Sequence, residues 1–422
     1  MIRQRKKLLR DLLFVFFTLF VFASTFSIAM AQVCLGLSLV LFIIVAVTTG
    51  HNPFSSQLKW FYIFVGLYIF WMLLASLFGN TPVESTLILK EEWLFCVVPI
   101  GIYLLAKEDY RRRMMYAFAI GTGLFAVYGI LQFFTGVHWF KSVEPNPGPE
   151  FFYVIKGNFP SPMTFGNYFG TAAGFFAGMV LAGWSGFERK EKILFSMAAF
   201  AALLSTLGSY NRGALLGLVA AFIVLCIIIR GRKLTIAVVA AIILIIAGTV
   251  GVPSVRYRIQ RHLANQLSLE YQGSRLFIWN NSLKIVAENP VLGVGQGNFR
   301  YEYEARLPED VIGLRKHVHA HNDFINIAAI AGLPGMLFFV GIWVAVFGYL
   351  RRQWKLAGQQ EWSRPLLVAA TGGSVVFLVS SLTEATFADE EVRQMLMFLW
   401  AVGLFSLYPG PERAGNQPPA PE

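Results

Sequence analysis

Apolar runs of close to twenty residues recur along nearly the whole chain, separated by short polar or basic connections. A helix rises 1.5 Å per residue, so a run of that length matches the hydrocarbon core of a bilayer and predicts a membrane-spanning helix. Twelve such spans are read, near 12–30, 32–49, 60–78, 88–106, 114–136, 163–183, 193–208, 213–229, 234–252, 324–350, 366–386 and 392–408. Two longer polar segments interrupt them. Val137 to Ser161 carries Pro145, Pro147, Pro149 and Pro160, a composition that disfavours regular helix and predicts a shaped irregular loop. Within the segment from Pro253 to Asp323, Gly273-Ser274 precedes a predicted amphipathic helix from Arg275 to Glu288. Leu276, Trp279, Leu283 and Val286 fall at helical spacing there, and Asn289-Pro290 ends it. The Pro- and Gly-rich tail from Pro409 is expected to be disordered, and no internal repeat is visible.

The predicted class is therefore all-α and polytopic. Nine spans and the loop 137–161 fall within 1–252, a large polar loop with short helices fills 253–323, three spans fill 324–408, and 409–422 is the tail. Composition agrees: 56% of the residues are hydrophobic and only 14% charged, which excludes an ordinary soluble globular protein. The basic cluster Arg3-Gln4-Arg5-Lys6-Lys7 before the first apolar run imitates a signal peptide, but no small-residue cleavage site follows, and the run is read as a retained span. Cys34, Cys96 and Cys226 all lie inside apolar runs, which implies neither a disulfide framework nor a zinc site.

The formal charge of +11 raises the question of nucleic acid, yet most Lys and Arg cluster between spans. With a cytoplasmic N-terminus, Lys107 with Arg111-Arg112-Arg113, Glu188 to Lys192, Arg230 to Lys233 and Arg351-Arg352 all fall on the inner side. The charge is thus first a topology signal, no nucleic-acid partner is expected, and both termini are placed inside. The loop from Pro253 then lies outside, where the nine basic residues against six acidic ones between Pro253 and Asn322 run counter to the positive-inside rule and suggest an anionic ligand such as a lipid diphosphate.

Arg212 breaks two spans on the outer side within Ser209-Tyr210-Asn211-Arg212-Gly213, and Arg275 opens the amphipathic helix. At a helix start, unpaired N–H groups and the positive dipole end would join the guanidinium in holding a phosphate. The alternatives are a snorkelling arginine for Arg212 and a solvated first-turn residue for Arg275. Lys90, beside Glu91-Glu92, and the loop cations Arg256, Arg258 and Arg315 are secondary candidates, a local ion pair being the other reading for Lys90. His317, His319 and His321 admit a metal site, a helix-capping role for His321 with Asn322 and Asp323, or a general base, imidazole being the side chain that titrates near neutrality. His319 is kept as a further substrate-binding candidate. Gly293-Val294-Gly295-Gln296-Gly297 lacks the Lys-Ser/Thr of a phosphate-binding P-loop and follows a helix, so a tight turn seating the helix end is the better reading.

Ser274-Arg275-Leu276-Phe277-Ile278-Trp279, Glu288 through Phe299, His319-Ala320-His321-Asn322-Asp323 and Gly332-Leu333-Pro334-Gly335 together resemble the signature of the O-antigen ligase and polymerase superfamily. The resemblance extends to Ser209 through Gly213 and to Gly157 through Pro162. It implies a GT-C-like glycosyltransferase of the bacterial inner membrane with a periplasmic active site. The implied donor is a glycan on undecaprenyl diphosphate, and the acceptor a lipid A-core sugar in a ligase or another lipid-linked repeat in a polymerase. Arg212 and Arg275 would hold the diphosphate and His321 would take the acceptor proton, with no metal or other cofactor implied. The family commonly places a serine where this chain has Asn211, which bears on how Arg212 is positioned. A transporter of lipid-linked glycans is the rival from another class, but it predicts paired broken helices and inverted repeats that the sequence does not display.

Overall fold

The computed structural model describes residues 2–50, 52, 54, 56–139, 148, 152–229, 264–265, 267–269, 271, 273–307, 318–354 and 362–407. The expected span at 234–252, Arg256, Arg258, Arg315, His317, most of the proline-rich loop and the tail lie outside them. Among the described residues the chain is helical, with no strand. In order the helices are α1 (Ile2–Ala23), α2 (Ile28–Thr49), α3 (Lys59–Leu77), α4 (Pro82–Ile88), α5 (Val97–Leu105), α6 (Glu108–Thr135) and α7 (Pro162–Gly183). There follow α8 (Arg189–Gly208), α9 (Arg212–Ile229), α10 (Arg275–Glu288), α11 (Phe299–Glu304), α12 (Asp323–Trp354), α13 (Ser363–Ser380) and α14 (Glu390–Leu404). Seven of them, α2, α3, α6, α8, α9, α12 and α13, are long and apolar enough to cross a membrane.

The stretch read as one span over 88–106 is broken. A 3-10 segment, Leu89–Cys96, separates α4 from α5. Its cause is the pair Glu91-Glu92, which turns toward the buried Arg393 of α14, with Arg393 Nη1 3.2 Å from Glu92 Oε1 and Nη2 3.3 Å from Glu91 Oε2. Carboxylates held at low dielectric need such a partner, and a tighter helical turn lets both reach it.

Helix α13 is clamped between α7 and α9 through glycines. A Cβ on Gly178 would stand 2.8 Å from the Val368 carbonyl, and one on Gly217 only 2.5 Å from that of Val376. Small residues at helix crossings let backbones approach closely where apolar surroundings offer little hydrophobic drive. This fixes the end of α13, from which the chain turns into Thr383-Glu384.

Helix α12 kinks at Gly332 (φ 70°), where Pro334 has no N–H to donate. The carbonyls freed there are taken up from outside: Val294 N donates to Ala329 O (2.9 Å), Gly295 N to Ile330 O (3.0 Å) and Trp71 Nε1 to Ala331 O (2.9 Å). The glycine-rich segment therefore seats the loop on the kink. The amphipathic helix α10 forms over Arg275–Glu288, but its buried face is Ile278, Asn281, Ser282, Ile285 and Val286, and Leu283 is exposed. Ser282 and Asn281 return their polar atoms to Ile278 O and Phe277 O, so small and self-satisfied side chains make the inner face.

Candidate active site

The loop after α13 and the turn before α12 are tied together by hydrogen bonds. Asp323 N donates to Ser381 O (2.9 Å) and Asn322 Nδ2 to Leu382 O (3.0 Å), while Asp323 accepts from Phe387 N and Thr386 Oγ1. Asn322, not His321, caps α12, its Oδ1 accepting from Phe324 N (2.9 Å) and Ile325 N (3.1 Å). His321 is consequently released from capping. Its backbone adopts the left-handed region (φ 52°), uncommon for a residue with a Cβ, and this turns the ring toward Glu384.

Glu384 is the centre of the cluster. Its Oε1 lies 2.5 Å from His321 Nδ1 and 3.9 Å from His319 Nε2, and its Oε2 accepts from Arg275 Nη2 at 2.9 Å. The two imidazoles meet edge to face with centroids 4.4 Å apart. Burial would raise the Glu384 carboxyl, but the hydrogen bond from His321 and attraction to His321, Arg275 and His319 outweigh it and hold the group below the usual carboxylate range. An ionised carboxylate only accepts, so His321 must carry a proton on Nδ1, which leaves the lone pair of the neutral ring on Nε2. Burial lowers the pKa of Arg275, opposed by Glu384, and the guanidinium stays charged.

Arg275 is the first residue of α10, behind Ser274, whose side chain caps the helix by accepting from Phe277 N (2.9 Å). Arg212 opens α9 and is exposed. Asn211 supplies the cap there, accepting from Ala214 N (3.0 Å), and its Nδ2 also reaches Met163 O (2.8 Å) and Asn167 Oδ1 (2.9 Å) on α7. The asparagine thus does what a serine cap would do and adds a tie to a second helix. The next residue, Gly213, packs so closely on Thr383 that a Cβ would stand 2.5 Å from its hydroxyl oxygen, which sets Arg212 beside the segment bearing Glu384. Asp389, just before α14, accepts from Thr164 of α7, and burial together with Glu391 and Glu384 pushes its carboxyl up to about 7.

The structure therefore brings Arg275, His319 and His321 together, while Arg212 precedes Gly213, which packs on Thr383 next to Glu384. Lys90 is exposed, and its charge acts on the neighbouring Glu91. Arg300 pairs with Glu304 (3.0 Å), and Arg306 with Glu302 (2.6 Å) and Glu288, so these loop cations are spent on their own neighbours. Asp323 is turned away from His321 by its bonds to the 386–387 backbone and hydroxyl. Glu384 is not among the candidates above because its position reads as part of a span; an acid in an otherwise apolar run is the signal that marks it. His319, His321 and Glu384 also hold their ligand-type atoms within 4.8 Å of one another, the described set able to grip a cation. A cleft of about 440 Å³ lined by Ser24, Ser27, Asn158, Phe159, Pro160 and Glu391 lies where the loop before α7 meets the start of α14.

Residues 197–340 match the Wzy_C family model, described as O-Antigen ligase. The match covers about a third of the chain, from within α8 through the kink of α12, and includes Arg212, Arg275, His319 and His321 but not Glu384. The resemblance read from the sequence holds across this stretch, and members of that family are glycosyltransferase-like enzymes. No curated protein matches the chain.

Proposed function

We propose that this protein is a metal-independent glycosyltransferase of the bacterial inner membrane that moves an O-antigen or related glycan from undecaprenyl diphosphate to a lipid A-core sugar. The observation that carries the reading is the Arg275–Glu384–His321 chain of contacts, which orients a base and a phosphate-binding cation around one carboxylate. Arg275 uses Nη2 on Glu384, which leaves further N–H donors of its planar guanidinium for a diphosphate, and Arg212 supplies a second cation at the start of α9. His321 Nε2 removes the proton of the acceptor hydroxyl as that oxygen attacks the anomeric carbon. The bond from that carbon to the diphosphate oxygen breaks, and the lipid diphosphate leaves with its charge held by the arginines. Membrane lipids surround the apolar helices, and the cleft beside Asn158 and Glu391 offers hydroxyl partners to the glycan.

Sidedness rests on charge. The basic connections with Arg112, Glu188 and Glu191 pair with one another at the end of the bundle away from Glu384, so by the positive-inside rule the site faces the periplasm and the termini the cytoplasm. We read the transferase as a ligase rather than a polymerase. The lipopolysaccharide of a deletion strain tests it: loss of every core-linked polymer band, with polymer retained on the lipid carrier, is expected. A core bearing a single repeat would instead identify a polymerase, and an unchanged ladder would refute both.

A further inference from the structure

We propose that His319, His321 and Glu384 form an inhibitory site for a zinc-class divalent cation, whose binding ties up the His321–Glu384 pair. Two imidazole nitrogens and one carboxylate oxygen are a common three-ligand set for zinc, with the fourth position left to water. In this structure His321 Nδ1 and His319 Nε2 lie 2.5 and 3.9 Å from the same oxygen, Glu384 Oε1. Ligand atoms around a tetrahedral zinc at about 2.0–2.1 Å stand roughly 3.3 Å apart, so the present spacings straddle the required one and side-chain shifts of about an ångström close the site. The left-handed backbone at His321 turns its ring onto the carboxylate that His319 also approaches, and the ties of Asn322 and Asp323 to the loop after α13 hold the two halves in register.

The donor set also selects the ion. Magnesium and calcium prefer all-oxygen shells and gain little from two imidazoles, whereas zinc, nickel and copper favour them. Arg275 on the other carboxylate oxygen, 2.9 Å away, opposes a second cation, so the site suits reversible occupancy better than permanent loading. A bound ion takes the place of the proton that joins His321 Nδ1 to Glu384 and engages the ring that the transfer reaction needs. The inhibitory part of the inference rests on the base assignment made above; the metal site itself does not.

Purified full-length protein in detergent, carrying no histidine tag, is titrated calorimetrically with zinc chloride, and bound metal is counted after equilibrium dialysis. One equivalent binds to the wild type, and His319→Ala, His321→Asn and Glu384→Gln each weaken it by at least about tenfold, while magnesium neither binds nor competes. Zinc-edge X-ray absorption on the wild type reads nitrogen and oxygen ligands at about 2.0–2.1 Å, independently of how any variant folds. No stoichiometric binding, equal binding in all three variants or sulfur ligation would overturn the site. With zinc bound, transfer falls at least about tenfold and a chelator restores it; stoichiometric zinc with undiminished transfer would leave the metal site standing and remove His321 as the base.

Discussion

Replacing Glu384 by Gln changes one oxygen to an amide at the point where three side chains converge, and neither orientation of that amide can serve them all. With its oxygen toward His321, the NH₂ faces the Arg275 guanidinium, donor against donor, where 2.9 Å separates them now. With the NH₂ toward His321, Nδ1 must become the acceptor, the proton moves to Nε2, and the ring loses the lone pair that accepts the hydroxyl proton. Hydrogen bonds to charged groups are worth about 1.5–3 kcal/mol each, and a misplaced general base forfeits roughly 10²–10⁴ in rate. Glu384→Gln should therefore lower kcat for glycan transfer by about 10²–10⁴-fold, and Glu384→Asp, which keeps the charge on a shorter stem, should recover part of it. The assay is turnover of purified enzyme with labelled lipid-linked donor, with thermal melting to establish that the variants fold. A folded Gln variant with near wild-type kcat would refute the positioning role of Glu384 and the tautomer inferred for His321.

Arg212→Ala and Arg275→Ala should each reduce transfer by about tenfold or more, read as weakened donor binding, and Arg275→Lys should restore only part because the planar fork is lost. Asp389→Asn keeps the shape of a side chain that makes no capping hydrogen bond to α14 but removes a carboxyl whose folded pKa is raised to about 7. A raised pKa gives the wild type stability that is full below the ordinary Asp value near 3.9 and is lost as pH climbs through about 7, so the melting-temperature advantage of the Asn variant should grow over that window and level off above it. A constant difference from pH 4 to 8 would count against that shift. Gly332→Ala places a Cβ 2.0 Å from the Val291 carbonyl at a positive φ, and a loss of about 1–3 kcal/mol in stability is expected by denaturation. In a background without the native cysteines, Val318→Cys should react with an impermeant thiol reagent from the periplasmic side and Trp184→Cys should not; the reverse would place the site in the cytoplasm.

Arg212, Arg275 and His321 were legible because each stands at a helix start or loop junction where the chain is otherwise apolar, and the motif order added weight. Glu384 was not, since its partner His321 is 63 residues away and only tertiary ties from Asn322 and Asp323 align the two. Of the described cations in the loop from Pro253, two are paired locally. Arg300 with Glu304 and Arg306 with Glu302 are neutralised one helical turn away, a spacing the sequence already contained. Periodicity found α10 and the buried Val286 but not the whole inner face, because Asn281 and Ser282 face inward by bonding their own helix while Leu283 is exposed. The break at 89–96 was hidden for the same kind of reason: Arg393, which draws Glu91 and Glu92 inward, is about three hundred residues away along the chain.

The central claim is that His321 is the base and the arginines hold the donor, and one paired measurement separates these roles. Purified wild type and His321→Asn, a residue that also tolerates the left-handed backbone, are given a labelled glycan on undecaprenyl diphosphate and a lipid A-core acceptor in detergent, with no sealed compartment. The same samples are assayed for donor binding. The account predicts core-linked glycan and free undecaprenyl diphosphate from the wild type, and from His321→Asn a loss of transfer of at least about 10²-fold with donor affinity nearly unchanged. A His321→Asn enzyme that still transfers glycan, or a wild type that transfers none in detergent yet moves the lipid-linked glycan across vesicles, would contradict it.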